Sequence, residues 1–248
     1  MAGEHVRTRG SERSRSGWLC YDAMGNPALD DWSRNVSGPS ASNMLQFPDV
    51  LPVKRLLQSV AMLDAVICPE WEYRYYSFDA NWAAGETMGS MRNGQGDDFF
   101  ALFNCHGAVI KGFDHESVVA SMKFPSDRFY RGLPRQFASC GSEPAFSPEF
   151  VTFCMWRLFE EPAWSSAKIT LPESEDSDGS AHLLAILDCS PETYQRWAEE
   201  YYECEVSLQA VIAAYEHRVL TEEIVASLNP KCNLISLSKD IAEIGYPT

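Results

Sequence analysis

The chain lacks the short signatures that most often announce a chemistry. It contains no G-x-S-x-G, Walker A, H-E-x-x-H or dinucleotide fingerprint. That lowers the case for the common hydrolase, nucleotide and metalloprotease chemistries without excluding a less common enzyme. The eight cysteines (Cys20, Cys68, Cys105, Cys140, Cys154, Cys189, Cys204 and Cys232) form no C-x-x-C pair, so a zinc ribbon or thioredoxin-type site has no support. No apolar run approaches the roughly 18 residues a membrane helix needs. With scattered cysteines and no secretory signal, the expected compartment is cytoplasmic, the thiols reduced. No cofactor and no resident metal are expected from these patterns.

Positive charge is also scarce. Twenty Lys and Arg stand against 35 Asp and Glu, a formal net charge of -15 in 248 residues. Such a body repels phosphate backbones, which argues against nucleic-acid binding over a broad surface. The same field would steer a basic protein partner and raise its association rate, or simply keep the protein soluble. A hydrophobic fraction of 45% supports a real core.

Residues 1–43 read differently from the rest. Arg7, Arg9, Arg13 and Arg15 lie among Ser, Gly and Glu with no apolar period, and the stretch through Ser37–Ser42 has linker composition. Residues 1–43 are therefore expected to be a disordered or extension segment, with Met1, Met44 and Met62 all plausible starts. A single α+β domain is expected over 44–248, built on an antiparallel sheet with flanking helices and a helical C-terminal third.

A helix fits Val53 to Ala65, where Leu56, Leu57, Val60 and Leu63 recur at three- and four-residue spacing and Pro52 suits the first turn. Trp71 to Phe78 alternates as a strand does, with Trp71, Tyr73 and Tyr75 on one face. Strands over 86–92, 97–104 and 108–114 follow, joined by a four-residue loop at 93–96 and a three-residue turn at 105–107. That register pairs Arg92 with Asp97, Asp98 with Asp114, and Asp97 with His115. One residue of slip would swap every face. Phe150 to Leu158 reads as a central strand, Leu171 to Ser180 as an acidic, Ser-rich excursion, and 181–187 as a strand or buried helix. Ser190-Pro191-Glu192, Ser207 and Thr221 each open a helix, and a fourth fits Leu237 to Ile244.

Two candidate sites follow. Arg92, Asp97, Asp98, Asp114 and His115 converge at one end of the meander. Facing carboxylates at 98 and 114 would need relief from Arg92, Lys111, a shared proton or a divalent metal, unless both sit at a solvated sheet edge. The second candidate is a partner surface of Trp197, Glu199, Glu200, Tyr201 and Glu203, where aromatics would anchor and charges steer. A solvated helix face is the plainer alternative.

The segments WEYRYYSF (71–78), GSMRNGQGDDFFALF (89–103), KGFDHES (111–117) and PETYQRWAEEYYECEV (191–206) resemble a family of bacterial proteins over about residues 56–247. The resemblance carries no activity with it. More loosely, a compact acidic α+β chain with a leading helix is similar to toxin-immunity proteins, a likeness of fold and charge alone. It implies a non-enzymatic protein that neutralises or escorts a basic partner. The alternative is an enzyme or metal-dependent binder using the 92/97/98/114/115 end of the sheet.

Overall fold

The computed structural model describes residues 38–45 and 47–248. Residues 1–37, most of the stretch assigned to an extension, lie outside the described residues. Where that stretch is described it meets the domain: Ser40 is buried, and the Ala41 N–H donates to Ser180 Oγ at 2.9 Å.

The leading helix, α1, spans Val50–Ile67. The Asp49 side chain accepts from the Val50 N–H at its start, and Pro52 sits in the first turn, where a missing N–H costs nothing. Its centre is buried all round, from Leu56 to Val66, because sheet and C-terminal helices enclose it.

An α+β architecture results: a six-stranded antiparallel sheet in sequential order. The strands are β1 (Tyr76–Ala83), β2 (Glu86–Arg92), β3 (Asp98–Asn104), β4 (Gly107–Phe113), β5 (Phe153–Leu158) and β6 (Ser165–Ser166). Both faces are covered, which explains why β3 and β4 are buried almost without alternation. On one face Tyr76, Phe78, Met91, Phe99, Ala101, Phe103, Ile110 and Met155 pack against α1 and the C-terminal helices. On the other, Met88, Phe100, Leu102, Val109, Cys154 and Trp156 pack beneath a turn-rich layer from Val119 to Val151. Gly89 permits the approach of α1: a Cβ there would lie 2.9 Å from a Leu57 methyl.

Three expectations need correction. Trp71–Tyr73 is a 3-10 turn rather than strand, with Trp71 and Tyr73 half exposed. The cause is Arg74, whose guanidinium holds the Cys68 and Pro69 carbonyls at 2.8 and 2.9 Å while also meeting Asp240. Alternation of aromatics cannot report such a local clamp. Next, the β3–β4 turn has two residues, not three, so Asn104 pairs with Gly107 and the register shifts by one. Gly107 is forced there by β5, since a Cβ would lie 2.0 Å from the Arg157 carbonyl oxygen. Asp98 therefore faces Phe113, not Asp114, and Arg92 pairs with Asp98, not Asp97. Last, β5 begins at Phe153, later than Phe150.

The 181–187 run is helical, as α3 (Ser180–Leu183) and a 3-10 turn over Ala185–Asp188. The C-terminal third is helical as expected: α4 (Pro191–Tyr201), α5 (Leu208–Tyr215), α6 (Glu222–Leu228) and α7 (Ser238–Ile244). Ser207 and Thr221 each cap with the side chain, accepting from Ala210 and Ile224. A short helix, α2 (Val118–Ser121), follows β4. No helix among the described residues is long and apolar enough to cross a membrane.

Candidate functional site

Asp97 and Asp98 are adjacent, so the strand sends them to opposite sides. This divides the expected constellation into two.

Asp98 belongs to the face under the 119–151 layer. Its Oδ1 lies 2.9 Å from Lys111 Nζ, whose side chain is wholly buried. Arg92 and Lys111 both lie by the Phe100 ring, at 5.4 and 5.3 Å from its centroid. Burial raises the Asp98 carboxyl pKa, and the Lys111 charge opposes the rise. This is a buried cation made tolerable by a carboxylate at the sheet end.

Asp97 is the buried group of the other half. Its Oδ1 accepts from the His115 main-chain N–H at 2.8 Å and lies 2.6 Å from His115 Nδ1. Its Oδ2 accepts from Asn93 Nδ2 at 2.6 Å, while Asn93 Oδ1 takes the Gln95 and Asp97 N–H groups. The β2–β3 turn is thereby tied to the end of β4. The hydrogen bond with Asp97 raises the pKa of His115, whose side chain is 41% exposed and whose Nε2 lies 3.8 Å from Glu116.

Asp114 completes the group. Its Oδ1 caps the turn leading to α2, accepting from the N–H groups of Glu116 and Ser117 at 2.9 and 3.0 Å. Burial and then the charge of Asp97 push its pKa up. Ligand atoms from Asp97, Asp114 and His115 all fall within 4.8 Å of one another. Chemically, the three offer an oriented imidazole beside two carboxylates, a general base with its orienting partner or part of a cation site.

The acidic 171–180 excursion folds back onto this end, which sequence reasoning missed. The Val119 N–H donates to the Ser177 carbonyl at 3.0 Å, and Gly179 seats on Asp114, where a Cβ would lie 2.3 Å from Oδ2. Asp176 accepts the N–H groups of Ala181 and His182, and Asp178 accepts that of Ser180. Burial raises the Asp178 pKa to about 6. The clue was present in Asp-x-Asp-Gly-Ser, a loop with the makings of an Asx turn and a helix start.

The second candidate surface is only partly at the surface. Trp197 is 2% exposed and packs among Tyr75, Tyr76, Tyr194 and Tyr201, so it is a core residue and not a partner anchor. Its position on α4 toward the sheet explains this. Glu199 Oε1 accepts the Val206 N–H at 3.2 Å, closing the loop after α4. Glu200 and Glu203 are exposed, and Tyr201 is half-buried.

No protein-family model matches the chain, and neither the curated proteins nor the solved structures contain a significant match.

Proposed function

We propose that this chain is a non-enzymatic, acidic binding protein, immunity- or antitoxin-like, that neutralises or escorts a basic protein partner. One observation carries the reading: the placement of its charge. Residues 1–37 hold five acidic and five basic side chains, so the whole -15 falls on residues 38–248. Within that, residues 188–248 carry eleven acids and four bases. Glu200, Glu203 and Glu205 project from the exposed end of α4 and the loop that follows. Fields of this sign steer basic partners and set on-rates. The test is association kinetics with a co-purified partner at low and high salt, using wild type and Glu200→Lys/Glu203→Lys/Glu205→Lys. Support is a slower on-rate with salt and with the triple variant. A partner of net negative charge, or salt-independent association, overturns the reading.

A second reading, an enzyme or metal-dependent binder, is favoured by the 4.8 Å grouping of Asp97, Asp114 and His115. Carboxylate oxygens with one imidazole suit manganese or zinc better than calcium. Melting curves with chelator and then with magnesium, calcium, manganese or zinc test it. A stabilisation by metal that is lost in Asp114→Asn supports it; coincident curves discard it.

A further inference from the structure

The turn-rich layer over the second sheet face runs against the charge of the rest of the molecule. Acids outnumber bases two to one over residues 38–248, yet 123–135 holds Lys123, Arg128, Arg131 and Arg135 with a single acid, Asp127. All four cations are exposed. Asp127 is taken up by Arg131 at 3.0 Å, and Arg128 lies 5.5 Å from the Phe124 ring centroid.

Large apolar side chains flank the strip. Met122 is 53% exposed, immediately before Lys123, and Phe150 is 52% exposed. Contacts join the pieces: Tyr130 OH donates to the Pro148 carbonyl at 3.0 Å, and the Phe150 ring lies tilted 5.5 Å from that of Phe113 at the end of β4. Val118, 39% exposed, lies five residues beyond the end of that strand.

We infer that this strip is a peripheral docking surface for anionic lipid headgroups, with Met122 and Phe150 seated at the headgroup–acyl boundary. Complementary charge calls for an anionic occupant. The choice of lipid rests on the apolar side chains: a nucleic acid or an acidic peptide uses the arginines and leaves the methionine idle, whereas a bilayer interface accepts both. The molecule's own acidity does not forbid contact. The acid-rich helices pack on the opposite face of the sheet, with the sheet itself between them and the strip. Within the layer itself the strip is offset by Glu143 and Glu149, so residues 119–151 carry one net positive charge, and screening over about 8 Å at physiological salt limits what the acids beyond the sheet add. Orientation follows as well, since the bound protein would present α4–α7 away from the membrane.

The experiment is co-sedimentation of the full chain with vesicles of phosphatidylcholine alone and with vesicles in which about one lipid in three is phosphatidylserine. Wild type is expected to sediment only with the anionic vesicles. Arg128→Gln/Arg135→Gln should weaken binding by about five-fold per cation removed. Phe150→Ser, which alters no charge, should also weaken it, with thermal melts confirming that both variants fold. Equal sedimentation with both vesicle types, no sedimentation with either, or binding to heparin and not to vesicles overturns the inference. So does full binding by the Phe150→Ser variant, which would leave only a non-specific charge effect.

Discussion

Asp97 Oδ1 serves His115 twice, taking its main-chain N–H at 2.8 Å and meeting its ring Nδ1 at 2.6 Å. The proton-bearing imidazole is favoured in the folded state, so the His115 pKa is raised. The stabilisation is therefore fully present below the unfolded value near 6.5 and is lost as pH rises through the folded value. Proton NMR of the His115 ring should show titration above that of an exposed histidine. In Asp97→Asn the midpoint should fall, and the β2–β3 turn should loosen because Asn93 loses a charged acceptor. A midpoint unchanged by the substitution would remove the dyad from the enzyme or metal-dependent reading.

Lys111 and Asp98 predict an asymmetry. Asp98→Asn strands a wholly buried ammonium, whereas Lys111→Met leaves a carboxylate with a 21% exposed side chain that water can reach. Breaking a buried pair costs about 3–5 kcal/mol when the remaining charge is buried. Asp98→Asn should therefore be the more damaging variant by urea unfolding, and Lys111→Met should cost less than half as much. Equal losses would mean that the lysine finds another acceptor.

The reversal of the Asp98 expectation shows what the sequence could carry. Apolar period and caps placed β2, α7 and the starts of α4–α6 nearly to the residue, and α1 to within three residues at each end, because Ser207, Thr221 and Pro191 act through local hydrogen bonds and fixed φ. Register across the β3–β4 hairpin was beyond local reasoning, since the two-residue turn is set by the approach of Arg157 from β5, fifty residues on. Asp97 and His115 do meet, but through the Asp97 carboxylate and not as the register partners that the shifted pairing implied. The docking of Gly179 on Asp114 was not, as it joins segments that no periodicity connects. Trp197 was visible as an aromatic beside acids, but only packing says which way it points.

Acidity should stabilise this protein over part of the physiological range. Asp64 is fully buried in α1, accepting from the N–H groups of Tyr75 and Tyr76 and from Tyr194 OH, and burial raises its pKa to about 6. Asp178 is raised to about 6 in the same way. An acid raised on folding binds its proton more tightly in the native state, so stability falls as pH climbs from about 3.8 through 6 and levels off above it. His115 adds a loss at higher pH. Melting temperature should thus rise as pH is lowered from 7.5 to 5.5. For Asp64 alone the range amounts to about 3 kcal/mol at most. A flat profile between these pH values would show that the buried carboxylates are better compensated than their burial implies.

Gly179 offers a test of how the acidic excursion is held. Its φ is +75°, and an added Cβ would lie 2.3 Å from both Cβ and Oδ2 of Asp114. Alanine there carries the left-handed penalty of about 1 kcal/mol and a collision with a side chain fixed by two N–H bonds, so it should cost about 2–4 kcal/mol in all. Gly94 has a similar φ of +74° with nothing within 4 Å. Gly94→Ala should therefore show the conformational penalty alone. The difference between the two melts isolates the contact with Asp114. Amide exchange should report the same event locally, with Val119, whose N–H is bound to Ser177, losing protection in Gly179→Ala while β2 and β3 keep theirs. If Gly179→Ala and Gly94→Ala lose equal stability, the loop does not press on Asp114, and the 171–182 segment is not part of the candidate site.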